Sequence, residues 1–367
     1  MIDTNILRYV LALQKTPNLG DSSAKKLINI VGSVEGVFNE KRQNLLKIDG
    51  IGEHRIKELF NKSLLNDADA ELKYIQEHNV DCSYYLDANY PERLNQCLDG
   101  PILLFSRGHI NLNNRHIISI VGTRKVTTQG VAFCNQLIET LKPLDPVIIS
   151  GFAYGVDITA HKAAIKHNLQ NVGCLAHGLN QIYPKTHSKY VKDVEHNGGF
   201  YTDFWSTDVF DRNNFLKRNR IIAGLSEATI VIESAEKGGS LVTADIANSY
   251  DREVFAVPGR PTDLQSMGCN NLIKKQQAHI LTRAEDLIYM LNWDLGNKPK
   301  SVQKSLFVEL DDNEKPIYNF LKERGKEHID LIALGCQIPS YKVASLLLTM
   351  EMKGVIRPLP GKLFELF

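Results

Sequence analysis

From about residue 116 onward, short unbroken apolar runs alternate with longer stretches that repeat their apolar positions every three to four residues. The runs at 116–122, 146–151, 171–178, 228–233 and 253–259 predict buried strands. The stretches at 127–141, 155–167 and 188–197, with those through Arg218 and through Thr243, predict the helices between them. Near-continuous apolar strands separated by helices predict a mostly parallel sheet covered on both faces. The fold class is therefore a doubly wound, Rossmann-like α/β core. An earlier short run at 101–105 predicts a first strand, preceded over 67–96 by one helix and an irregular connector.

The flanks read differently. The first sixty-odd residues have helical periodicity broken by two turns, Pro17-Asn18-Leu19-Gly20-Asp21 and Ile48-Asp49-Gly50-Ile51-Gly52-Glu53. Helix, glycine turn and helix resemble a helix-hairpin-helix module, whose hairpin amides hold a nucleic-acid phosphate. Residues 1–65 carry ten Lys/Arg against seven Asp/Glu. Residues 294–305 read as a linker. The remainder, with three short helical segments and a strand pair around 358–361, resembles a winged-helix domain. From Leu306 on there are eight Lys/Arg against nine Asp/Glu, and the segment 340–353 is mostly apolar. A groove-reading helix needs several cations, so protein contact or packing is the expectation for this tail. The expected domains are 1–66, 67–293, the linker 294–305, and 306–367.

Charge narrows the function. The net charge is only +1, so a nucleic-acid partner must be met by a local basic patch and not by an overall field. The six cysteines are scattered without a CxxC pair, and there is no secretory signal or apolar run long enough for a membrane span. A cytoplasmic protein without membrane, metal or cofactor requirement is expected.

The candidate chemistry gathers after the strands, where ligands lie in such sheets. Gly122-Thr123-Arg124-Lys125 follows the first strand of the alternation, and Gly151 the second. The densest stretch is 216–247. It runs from Lys217-Arg218-Asn219-Arg220 through a buried-strand run to Gly238, Gly239 and Ser240, with helix formers beyond. A strand, a Gly-Gly turn and a helix start place free amides and the positive end of a helix dipole at one point, with Ser240 as the expected cap. Arginines beside that turn suit a phosphate. No GxGxxG opens the first helix, and no GxxxxGK[ST] is present, which excludes the usual dinucleotide and P-loop signatures.

Taken in order, these segments resemble the DNA-processing protein A (DprA/Smf) family. The resemblance rests on Ile120-Val121-Gly122-Thr123-Arg124, on Ser150-Gly151 with Gly155-Val156-Asp157 and Ala160-His161, and on Gly178-Leu179 with Ile182-Tyr183-Pro184. It continues through Arg218-Asn219-Arg220-Ile221-Ile222-Ala223-Gly224-Leu225, Gly239-Ser240-Leu241 with Thr243-Ala244, and Val257-Pro258-Gly259. The resemblance implies single-stranded DNA binding, loading of RecA recombinase onto that DNA during natural transformation, no turnover, and dimerisation through the central domain. It also implies that Arg124, Lys185, Arg218 and Arg220 line a positive pocket. Tyr183 and Phe215 are candidates for stacking on bases. His161 matches the pattern but is assigned no chemistry. An enzymatic alternative is open, because the sheet is also similar to that of nucleotide phosphoribohydrolases with a GGxGTxxE signature. Here that stretch reads Gly238-Gly239-Ser240-Leu241-Val242-Thr243-Ala244-Asp245, with the third glycine lost and the glutamate shortened to Asp245.

Overall fold

The structure, a computed structural model, describes residues 2–61, 63–293, 310–359 and 362–366. It divides into two compact units, Met1–Leu295 and Gly296–Phe367. The expected linker 294–305 lies outside the described residues.

Six helices open the first unit: α1 Thr4–Gln14, α2 Asp21–Val31, α3 Val34–Asn39, α4 Arg42–Leu45, α5 Glu53–Ile56 and α6 Ser63–Glu77. The two glycine turns share one backbone plan. Asn18 and Gly50 are both left-handed, with φ 62° and 74°. Leu19 and Ile51 are buried, and Gly20 and Gly52 precede the next helix. Asparagine tolerates the left-handed region better than other side chains do, so the first turn forms without its second glycine. Helix α6 runs straight across the boundary expected at residues 66 and 67, and the apolar core of α1 to α6 is continuous with that of the sheet.

The sheet has nine strands. It begins with β1 Asp81–Tyr84, the short helix α7 Glu92–Asn95, and β2 Leu103–Gly108. Then follow β3 Ile117–Val121, α8 Thr128–Leu141, β4 Val147–Ser150, α9 Val156–Lys166 and β5 Asn171–Cys174. A 3-10 turn, Lys185–Tyr190, leads to α10 Val191–His196, β6 Gly198–Thr202, α11 Asn213–Leu225, β7 Ala228–Val231 and α12 Gly239–Ser249. The unit closes with β8 Glu253–Ala256, α13 Met267–Lys274, β9 His279–Ile280 and α14 Ala284–Met290. The strand order is β1-β2-β6-β5-β4-β3-β7-β8-β9, parallel from β6 to β9, with β2 antiparallel to both its neighbours.

Neither β1 nor β6 is predicted from the pattern. The glycine pair at 198–199 reads as a turn, yet it is what fits β6 between its neighbours. A Cβ on Gly198 would overlap the Asn171 carbonyl, and one on Gly199 the Arg107 carbonyl. The strand expected over 171–178 stops at Cys174, and the remainder becomes loop at the carboxyl edge.

Alternate strand residues feed two cores. Ile118 and Ile120 pack with α8 and α9 on one face, while Ile117 and Val121 belong to the core shared with α11, α12 and the N-terminal helices. Both faces are covered, which explains the unbroken apolar runs. From β3 the chain moves out through β4, β5 and β6, then returns to place β7, β8 and β9 on the other side of β3. The strand order therefore reverses between β3 and β7, and a crevice opens beyond the carboxyl ends of strands at such a point.

The second unit contains α15 Glu314–Arg324, β10 Glu327–His328, α16 Ile329–Cys336, α17 Ser340–Met352, β11 Ile356–Leu359 and β12 Leu363–Leu366. Three helices with a three-stranded sheet, ordered β10-β12-β11, form a winged-helix domain around Ile317, Leu321, Ile332, Val343, Leu347 and Met350.

Candidate nucleic-acid interface

The crevice at the β3/β7 switch is a cavity of about 340 Å³ walled by four segments, one of them the loop after β4 and start of α9, with Ala153 and Asp157. The loop after β3 contributes Gly122, Thr123 and Arg124. Helix α11 contributes Phe215, Arg218 and Asn219, and the loop after β7 contributes Ala235, Gly238, Gly239 and Ser240. The two loops are tied together, because the Thr123 amide donates to the Glu233 carbonyl at 2.7 Å. Glu233 also accepts from the Thr127 amide at 2.8 Å, which fixes the start of α8.

Arg218 forms the floor. Its side chain is buried, and Nη1 donates to the carbonyls of Gly151, at 2.6 Å, and Cys174, the ends of β4 and β5. Gly151 is required there, since a Cβ would lie 2.5 Å from both the Arg218 guanidinium and the Asp157 carboxylate. Burial raises the Asp157 carboxyl above the ordinary aspartate range even though Arg218 pulls the other way, and burial likewise lowers Arg218. The Arg218 Nε is buried with no partner among the described residues. The floor thus presents a guanidinium held mainly by main-chain carbonyls, with donor capacity left over.

Phe215 stands above that floor between two cations. The exposed Arg124 guanidinium lies 4.9 Å from its ring centroid, and that of Arg218 lies 5.9 Å away. Its ring also meets Tyr183 and Phe210, with centroids 5.9 and 5.7 Å apart. A partly exposed aromatic cluster beside guanidinium groups suits stacked bases next to a phosphate backbone.

The Gly-Gly turn reaches the cavity, but not as expected. Gly238, not Ser240, occupies the cap position of α12 and offers no side-chain cap. Ser240 is the second helical residue, buried, with its hydroxyl donating to the Ser234 hydroxyl at 2.9 Å. The first amides of this 11-residue helix therefore have no capping side chain, and Asn219 holds the turn by donating to the Gly239 carbonyl at 3.4 Å.

The remaining expected residues lie elsewhere. Lys125 is exposed beside Arg124, outside the cavity wall. Lys185, exposed at the start of the 3-10 turn, lines a neighbouring cleft with Arg107, Tyr183 and Phe210. Lys217 lines a third cleft, with Trp205 and Asp208. Arg220 faces away from the switch point altogether. Its Nη2 pairs with Asp203 and, at 3.1 Å, with Asp21, and its Nη1 donates to the Asp99 carbonyl. Asp157 and Arg212 are wall residues that sequence reasoning leaves out. Asp157 lies in a Gly-Val-Asp motif at a helix start, and only the fold reveals that it faces Arg218. Asp245, which the enzymatic alternative needs, is exposed and not in the cavity wall. His161 is fully buried, its Nδ1 3.0 Å from the Asn171 side chain, and burial lowers it to about 4. Among the described residues no cluster of three His, Cys, Asp or Glu has metal-binding geometry, and no single helix is long and apolar enough to cross a membrane.

Comparison with known proteins finds one family model within each unit, and residues 1–80 lie outside both. Residues 81–292 match the family model for DNA recombination-mediator protein A, and residues 307–362 match the DprA winged helix domain. Protein Smf of Escherichia coli is 34% identical over 276 residues, which is 74% of each chain. The DNA processing protein DprA of Streptococcus pneumoniae is 33% identical over 203 residues, 55% of this chain and 71% of that one. The X-ray structure of the S. pneumoniae protein superposes with a TM-score of 0.65 at 28% identity, covering 79% of this chain and 98% of that chain. A Helicobacter pylori structure, described as showing a unique single-stranded DNA binding mode of DNA processing protein A, superposes at 0.52 with 27% identity, covering 58% and 95%. The matched span includes the whole switch-point cavity, from the loop after β3 to the turn before α12, so the family and the site are carried by the same residues: this chain belongs to the DNA recombination-mediator protein A family.

Proposed function

We propose that the chain binds single-stranded DNA at the carboxyl edge of its sheet and loads RecA recombinase onto it. In this reading it is a non-catalytic mediator that dimerises through the central unit. One observation carries the DNA reading: at the β3/β7 switch a buried arginine, an exposed arginine and an uncapped helix start converge around one aromatic ring. Guanidinium groups and free amides serve phosphates, and the ring serves bases. The preference for single strands follows from shape. The cavity is entered from loops and contains no helix that projects into a groove, so a flexible backbone is needed to meet its fixed donors. Family membership, and the described DNA binding of the H. pylori relative, support the same partner.

Titration of labelled oligo-dT against duplex of equal length at one salt concentration tests this. Tighter binding of oligo-dT is expected, while equal affinity would move the contact to the N-terminal hairpins. For the RecA step, the lag of RecA's DNA-dependent ATPase should shorten when the protein is present, and an unaltered lag counts against loading.

A further inference from the structure

A second cleft adjoins the first along the same sheet edge. It has a volume of about 650 Å³ and lies between the start of α8 and the loop after β8, lined by Thr127, Gly130, Phe133, Pro258, Arg260 and Leu264. The two clefts share their loops. The loop after β3 supplies Arg124 to one and Thr127 to the other, and the loop after β7 supplies Gly238 to one and Glu233 to the other. Lys237 lies exposed on the segment between them.

Strand register sets the order of the cations. Val121, Val231 and Ala256 form one row across β3, β7 and β8. Arg124, Lys237 and Arg260 follow three, six and four residues past that row. Neighbouring strands are about 4.8 Å apart, so β3 to β8 spans about 10 Å, and β5, whose loop carries Lys185, to β8 about 19 Å. Lys237 and Arg260 are exposed, and neither has a carboxylate within ion-pair distance among the described residues. Two acids, Glu233 and Asp263, also line this cleft, and neither bridges to a cation among the described residues. Glu233 is buried against Thr127, while Glu236 and Asp263 face solvent without bridging to either cation. Beside Arg260, Leu264 is 72% exposed and Phe133 is partly buried, an apolar surface next to a charge.

We infer that this cleft is a second binding segment for a polyanionic single strand, with Lys237 and Arg260 on its phosphates and Leu264 with Phe133 under a base. The strand leaves the switch-point cavity over the loop after β7 and continues toward β8. This rests on the DNA reading of the first cavity, and the test separates the two.

Salt-dependent affinities are measured with a short oligo-dT of about 4 nucleotides and a long one of about 16, the range of single-strand site sizes. In the intact protein the long oligonucleotide should bind more tightly and with a steeper salt slope. Lys237→Ala with Arg260→Ala should lower the long-oligonucleotide slope by about 1.4, two phosphates at about 0.7 each, and leave the short one unchanged. Both side chains are exposed, so the melting temperature should not move, which shows that the variant is folded. An unchanged long-oligonucleotide slope in the variant overturns the second segment while leaving the first cavity intact. Failure of the intact protein to bind either oligonucleotide overturns both.

Discussion

Helix α11 carries two arginines with opposite fates, and the regions they face differ in kind. Two residues apart on a helix means nearly opposite sides. Arg218 points to the switch point, where it meets carbonyls, the buried Asp157 and an open cavity. Arg220 points to the junction with the N-terminal helices and is enclosed by Asp203, Asp21 and the Asp99 carbonyl, with the Tyr250 hydroxyl donating to the Asp99 side chain. The first region keeps an exposed cation, Arg124, beside solvent without an ion-pair partner among the described residues, which is what a polyanion needs. The second is neutralised from within, and its arginine clamps α2 and the segment after β6 to α11. A cationic run in a sequence says how much charge is present, and the helix phase decides what that charge faces.

The largest effect that would break this contrast belongs to Arg220→Ala. It leaves two carboxylates unpaired, with Asp203 Oδ1 already buried and lacking a partner among the described residues. Removing one side of a buried pair costs about 3–5 kcal/mol, read as a lowered thermal transition. The pH dependence has a definite sign. Burial holds the Asp203 carboxyl above its ordinary value despite Arg220, and losing Arg220 raises it further. A carboxyl raised in the folded state binds its proton more tightly there than when unfolded, so stability falls as pH climbs from the usual aspartate value of about 3.9 toward the raised one. The deficit of the variant should therefore be smallest in acid and widen toward neutrality. If Arg220→Ala instead stays fully stable and loses one phosphate's worth of salt slope, the junction reading is wrong and Arg220 is a DNA ligand.

A middle-sized effect separates the two glycines before α12. A Cβ on Gly238 would clash with the Ser234 hydroxyl, the acceptor of the Ser240 bond, whereas one on Gly239 meets nothing within 4 Å. Neither glycine has a positive φ, so backbone strain plays no part. Gly238→Val should destabilise by about 2 kcal/mol through overpacking. Ser240→Ala should cost about 1 kcal/mol, as a lost buried hydrogen bond and not as a lost cap. Gly239→Val should leave the melting temperature in place yet weaken oligo-dT binding, because only an approaching phosphate meets the new side chain. Normal binding by that variant would reduce the turn to a chain reversal.

Much of this architecture is legible in the sequence, and the gaps have physical reasons. Buried parallel strands announce themselves as apolar runs, so β3, β4, β5, β7 and β8 are found. The interior strand β6 is hidden by Gly198 and Gly199, which serve close packing between neighbouring backbones. At the site, residues supplied by the strand-end loops and α11 are legible because topology brings them together: Gly122, Thr123, Arg124, Arg218, Asn219, Gly238, Gly239 and Ser240 all reach one cavity. Arg220 misleads because a two-residue offset turns a side chain by about 200°. Arg212 and Asp157 are silent because their role depends on which loop they face, a property of tertiary structure alone.

The smallest effect on stability, and the sharpest test of the contrast, comes from Arg124. Its guanidinium is exposed and stacks on Phe215 without an ion-pair partner among the described residues. Such a contact contributes about 0.5–1 kcal/mol at an exposed position, so Arg124→Ala should scarcely shift the melting temperature. The same substitution should weaken all single strands alike and flatten the dependence of log K on log salt by about 0.7, one phosphate. Arg124→Lys keeps the charge but not the planar stacking group, so it should restore the slope and only part of the affinity. This is the reverse of Arg220, where stability moves and the salt slope does not. If both arginines change stability and slope together, the two faces of α11 are not independent regions, and the division between a binding edge and a structural junction fails.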